Sequence, residues 1–182
     1  MKKKELLLIG LGAIVVLSSF ANSNETMITD FRSNAKAPRG FRNNNPGNLK
    51  KPGTATWQGT LSYDDKGFAV FSSFLFGVRA MITDLRSKIL KYGNIRKIIS
   101  VYAPASDNND VDNYAKTVAS WAGFTTTQTL KPNKDTLKRL VGAMSRFENG
   151  RNGSGWWEVT AEQFEGGYNL LPATTKQAIE NA

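Results

Sequence analysis

The sequence predicts an α+β domain, mainly helical, behind an N-terminal apolar segment. Three observations carry this. Between Phe74 and Asn149, four stretches place apolar residues at the 3.6-residue period. Before them, Gly67–Phe71 is a short β-rich run entered through the turn-forming Asp64-Asp65-Lys66-Gly67. Earlier still, Pro38–Thr60 is rich in Asn, Gly, Pro and Lys and reads as loop.

The helices follow in order. Ser72 or Ser73 can cap the first, whose stripe is Phe74, Val78, Met81, Ile82, Leu85 and Ile89, ended by Gly93. Asn94 can cap the second, with Ile95, Ile98, Ile99 and Tyr102, stopped by Pro104. Asp107–Asp110 offers caps for the third, with Val111, Tyr114, Ala115, Val118 and Ala122 ahead of Gly123. The fourth spans about Lys134–Asn149, with Leu137, Leu140, Val141 and Met144 on one face and Gly150 after it. The tail carries a possible capping box at Thr160 and Gln163, then a short amphipathic stretch near Thr175–Asn181. The run around Gly67–Phe71 supports one small hairpin or a few short strands at most.

Lys2–Lys4 precede Leu6–Ala21, in which only Ser18 and Ser19 are polar among the side chains. Residues 1–21 therefore read either as a cleaved export signal or as an uncleaved membrane anchor. Sixteen helical residues reach roughly 24 Å, short of the ~30 Å hydrocarbon layer, a gap that thinning and lysine snorkelling can close. Either way the remainder works at or beyond a membrane: exported to the periplasm, or held in a membrane through residues 6–21, that of a virion included. Residues 22–37 are polar and read as a linker. Residues 38–150 form the domain proper, and 151–182 an extension packed on it.

The composition removes much chemistry. The chain of 182 residues has neither Cys nor His. Disulfides, zinc–thiolate sites, cysteine nucleophiles and imidazole-based triads are excluded. A hydrolytic activity would have to rest on carboxylates. Neither a metal nor a cofactor is expected. The net charge is +9, of which Lys2, Lys3, Lys4 and Glu5 contribute +2. Such a surface suits any polyanion. The Lys and Arg residues form no single-face helical stripe, so no specific nucleic-acid partner is expected. The sequence is silent on oligomeric state.

Glu148 is the carboxylate in an unusual place. It lies 4, 7 and 11 positions after Met144, Val141 and Leu137, so it continues the apolar stripe of the fourth helix. It also falls in the last turn, where the partial negative charge of the helix end disfavours an anion. Desolvation acts in the same direction. Both raise the pKa, as a glycosidic general acid requires. Lysozyme's acid is a standard example of this pattern. The competing reading is ordinary: many helices end in a Glu that turns outward or pairs with an Arg such as Arg146 or Arg151.

The run Arg39-Gly40-Phe41-Arg42-Asn43-Asn44-Asn45-Pro46-Gly47-Asn48-Leu49 resembles a motif of bacteriophage virion proteins related to the lytic enzyme of enveloped double-stranded RNA phages. Matching pieces follow in order: Trp57-Gln58-Gly59, Gly67–Phe71, Gly77–Met81, Tyr102-Ala103-Pro104 with Asp107-Asn108-Asn109, Tyr114, and Phe147-Glu148-Asn149-Gly150. The resemblance implies a lysozyme-like fold nearest the lytic transglycosylases, and cleavage of peptidoglycan glycan strands. It implies Glu148 as the catalytic acid and base, and Tyr102 and Tyr114 as the tyrosine pair lining the cleft. The order is permuted, because in that superfamily the Glu helix usually precedes the β region.

Each remaining candidate has two readings. Asn45 and Asn48 can bind sugar through their amides, or, like Asn43 and Asn44, satisfy the loop's own backbone. Trp57 and Gln58 can form a sugar platform, or Trp57 can pack into the core. Tyr102 and Tyr114 lie on apolar helical faces and by position alone are core. Asp64 or Asp65 can be the second carboxylate of a water-adding glycosidase, or simply build the turn. Trp156 and Trp157 can anchor a surface or seal the tail. The alternative to an enzyme is a non-catalytic virion structural or membrane protein that keeps the fold.

Overall fold

The computed structural model describes residues 31–153 and 155–182. The apolar segment 1–21, with the membrane span expected at 6–21, lies outside the described residues. Among those that are described, no helix is long and apolar enough to cross a membrane.

The chain is mostly helical, with a small two-stranded sheet. A helical turn, α1, Arg39–Arg42, opens it. Strands β1, Thr60–Tyr63, and β2, Ala69–Phe71, pair antiparallel with an irregularity between Thr60 and Ser62. Then come α2, Phe74–Tyr92; α3, Ile95–Tyr102; a 3-10 turn, Ala105–Asp107; α4, Val111–Ala122; and α5, Lys134–Asn149. A minimal hairpin, β3 Arg151–Asn152 with β4 Gly155–Trp156, leads to α6, Ala161–Asn169, and α7, Ala173–Glu180.

The helix ends are set by local chemistry. Asn94, Asp110 and Asn133 each accept a hydrogen bond from a first-turn N–H, which satisfies a donor the helix leaves orphaned. Thr160 and Gln163 close a full capping box. Gly93 and Gly123 stop their helices in the left-handed region, where a side chain is disfavoured.

Helix α2 is the centre of the core. Phe74, Val78, Met81, Ile82 and Leu85 are fully buried. One flank packs on α6, and α5 and α3 cover the others. Phe164, Tyr168 and Ile179 are buried as well, so residues after 150 are part of the same core. The described end of the linker also packs. Ala37 is buried, and Phe31 sits edge-on against Phe41, Phe74 and Trp157. Trp157 thus seals this aromatic cluster.

Residues 39–49 are loop apart from α1, and asparagines tie them down. Asn44 accepts from Phe31 N–H and donates to the Phe71 carbonyl. Asn45 donates from Nδ2 to the Leu49 and Ala69 carbonyls, each at 2.9 Å, and accepts from Leu49 N–H. Asn43 donates to Asp64. Asn44 and Asn48 have φ of 52° and 47°, which Asn tolerates better than most residues. The loop lies hard against α2: a Cβ on Gly77 would fall 1.8 Å from the Asn44 carbonyl oxygen.

Candidate active site

Helix α5 ends where this loop crosses it. Asn149, buried, donates to the Pro46 carbonyl at 2.8 Å and to the Ser145 carbonyl at 2.7 Å. That clamp places Asn48 beside Glu148. Asn48 Nδ2 donates to Glu148 Oε2 at 2.9 Å, and Tyr114 Oη donates to Oε1 at 2.6 Å. Tyr114 is held in turn by its stack on Phe147, with ring centroids 3.8 Å apart. Two residues, one 100 and the other 34 positions back in the chain, thus grip one carboxylate.

Burial pushes the Glu148 carboxyl above its ordinary value. The Tyr114 and Asn48 hydrogen bonds oppose that shift without cancelling it. Burial and the nearby Glu148 charge also push the phenols of Tyr114 and Tyr102 well above their usual value, so both are donors at neutral pH. Among the described residues no ion pair reaches Glu148. Arg146 lies instead between the indoles of Trp121 and Trp156, at 4.2 and 4.1 Å, and Arg151 lies over Trp156.

Glu148 opens onto a cleft of about 680 Å³. The stretches that meet there are far apart in sequence: Asn48–Pro52, Trp57, Phe68, Val101–Pro104, and Asp107 with Asn109. From α2 come Asp84 and Lys88. Trp57 is half-buried and tied by its indole N–H to the Lys50 carbonyl. It presents ring surface to the cleft while also packing on the core. Tyr102 lines the wall and donates to the Gly47 carbonyl. A Cβ on Gly47 would come 2.7 Å from that hydroxyl, so the contact requires glycine there.

The remaining expected site residues fall elsewhere. Asn45 is fully buried, with its amide bonded to Leu49 of its own loop and to Ala69 of β2, so it is turned away from any ligand. Gln58 is exposed and outside the cleft. Asp64 builds its turn by accepting from the N–H groups of Lys66 and Phe68. Burial works to raise its pKa. The hydrogen bonds from Phe68, Asn43 and Lys66, with the charge of Arg39, outweigh it and hold the carboxyl below its usual range. Neither Asp64 nor the exposed Asp65 lines the cleft. The acidic residue that does, besides Glu148 and the exposed Asp107, is Asp84. Among the described residues no group of three or more acidic side chains is placed to hold a metal ion.

No family model matches the sequence. Over 138 residues it is 38% identical to Protein P5 of Pseudoalteromonas phage PM2, an alignment covering 73% of this chain and 84% of that protein. The chain belongs to the P5 family. The bacteriophage connection implied by the Asn-rich motif therefore holds. In this P5 relative, most of the motif pieces that carried the resemblance put residues on one cleft around Glu148: Asn48, Trp57, Phe68, Tyr102, Asp107 and Asn109.

Proposed function

We propose that this P5-family protein cleaves the glycan strands of peptidoglycan as a lytic transglycosylase, with Glu148 as acid and then base. The observation that carries the reading is the Glu148 carboxyl: raised in pKa by burial, held by two neutral donors, and open to a cleft large enough for a saccharide.

The chemistry follows from one carboxyl. Protonated Glu148 donates to the glycosidic oxygen as the C1–O bond breaks. The resulting carboxylate takes the proton from the 6-hydroxyl of the same sugar as that oxygen bonds to C1. An anhydro ring closes, no water enters, and Glu148 regains its proton. Asn48 and Tyr114 hold the carboxyl in both states, which supports its use in both directions. Asp64 and Asp65 lie outside the cleft, and the other carboxylates that line it, Asp84 and Asp107, are paired with Lys88 and Lys50, which favours this route over water addition. Trp57 and the Tyr102 wall supply the flat surfaces on which sugar rings stack. A place in a virion, with residues 6–21 as membrane anchor, fits a protein that must open a wall locally.

Mass spectrometry of fragments from purified walls tests the route. Transglycosylation gives anhydro ends, one water lighter than the reducing ends left by hydrolysis. Reducing ends alone would reject it.

Tyr114→Phe tests the grip on Glu148. Losing a donor that favours the anion raises the acid's pKa further. The basic limb of the pH–activity profile, where the proton donor is lost, is expected to move to higher pH. An unmoved limb would mean the Tyr114 bond does not tune this acid.

A further inference from the structure

Asp84 lines the same cleft as Glu148, from the α2 wall. Its side chain is only 13% exposed. One carboxylate oxygen, Oδ1, takes the ammonium of Lys88, one helical turn on. The other, Oδ2, is buried and has no hydrogen-bond partner. Buried carboxylate oxygens are seldom left unmet, because the group has given up water for nothing. Packing does not explain the residue either, since the apolar stripe of α2 already fills the core. Burial raises the pKa of Asp84, and Lys88 opposes the rise. Lys88 itself lies 5.5 Å over the Tyr102 ring and faces the cleft too. The pair therefore holds one unmet acceptor, just under the cleft surface, beside an ammonium that faces the cleft.

We propose that Asp84 is a sugar-binding residue: when an amino sugar enters the cleft, the carboxylate turns so that Oδ2, buried and unmet in the free protein, accepts a hydrogen bond from one of its N–H or O–H donors, while Lys88 keeps hold of the other oxygen. This rests on the saccharide reading of the cleft. The acetamido group is the best match, because its N–H suits Oδ2 and its carbonyl suits the Lys88 ammonium. Asp84→Asn keeps the shape. Its carbonyl turns to Lys88, which leaves an NH₂ where the acceptor stood, so donor faces donor.

The test is isothermal titration of the full-length chain with tetra-N-acetylchitotetraose and with cellotetraose. Asp84→Asn is expected to weaken chitotetraose binding about tenfold or more, with an unchanged thermal midpoint or a higher one. If the donor is the acetamido N–H, cellotetraose binds weakly to both proteins. If it is a hydroxyl, cellotetraose binding falls by the same factor. Lys88→Met, which frees the carboxylate but leaves it present, is expected to weaken chitotetraose binding several-fold and serves if Asp84→Asn does not fold. Undiminished binding in the variants, or no glycan binding by the wild type, overturns the inference. Wall clearing measured in parallel keeps this separate from the role of Glu148: clearing that depends on Glu148 but not on Asp84 would retain the first reading and discard the second.

Discussion

Glu148→Gln is expected to abolish clearing of purified cell walls, with a loss of at least about a hundredfold, the usual scale for removing a general acid. Gln keeps the side chain's shape. It can still accept from Tyr114 through its carbonyl oxygen, although its NH₂ then faces the Asn48 amide. The fold should survive, and it should gain stability in a pH-dependent way. Burial raises the folded pKa of Glu148 above its unfolded value. For a carboxyl shifted that way, the stabilising contribution is fully present below the unfolded pKa and is lost as pH rises through the folded one. The wild type thus carries an unfavourable buried charge at neutral pH that the variant lacks. Thermal midpoints of the two should lie closest in acid, with the variant's advantage growing toward neutrality. Equal clearing by both proteins would remove Glu148 from the chemistry.

Asn45→Ala is expected to damage the fold more than alanine at any other asparagine of the motif loop, whereas Asn48→Ala should spare the fold and cost activity. Asn45 makes three hydrogen bonds from a fully buried amide and ties the loop to β2. Its loss strands the Leu49 N–H and weakens two carbonyl contacts. At about 1–3 kcal/mol for each buried group left unmet, a total of roughly 4 kcal/mol is expected. For a domain this size that is a fall in midpoint on the order of 10 °C. Asn48 instead gives its amide to Glu148 and borders the cleft. Asn48→Ala should leave the midpoint within a few degrees and cut clearing. Thermal melts and turbidity on the same samples separate the two. A stable Asn45→Ala protein with lost clearing would return Asn45 to the ligand site.

The contrast between these two asparagines shows what a sequence can and cannot convey. Both sit in one run with the same side chain, and only the partners tell them apart. The helices were legible because each carries its own punctuation, such as Asn94, Asp110, Gly93 and Gly123. Glu148 stood out because it continues an apolar stripe into the last turn. The β3–β4 hairpin and the α1 turn are too short to show a period. Asp84 was hidden for another reason. An Asp followed four residues later by Lys reads as a solvated pair on a helix face. Here the face it occupies is a cleft wall, which depends on Tyr102 and the motif loop arriving from elsewhere. Asn149 carries no signal of its own in the sequence, yet it clamps that loop to α5.

The ionisation of Glu148 itself is the most direct test. In the full-length chain labelled with ¹³C at glutamate carboxyls, the resonance missing from Glu148→Gln identifies the group, and its midpoint can be followed with pH. A midpoint above the ordinary glutamate value is expected, because burial raises it. A midpoint at or below that value would show that the carboxyl does not keep its proton in the cleft, and would contradict the acid role on which the proposed function stands.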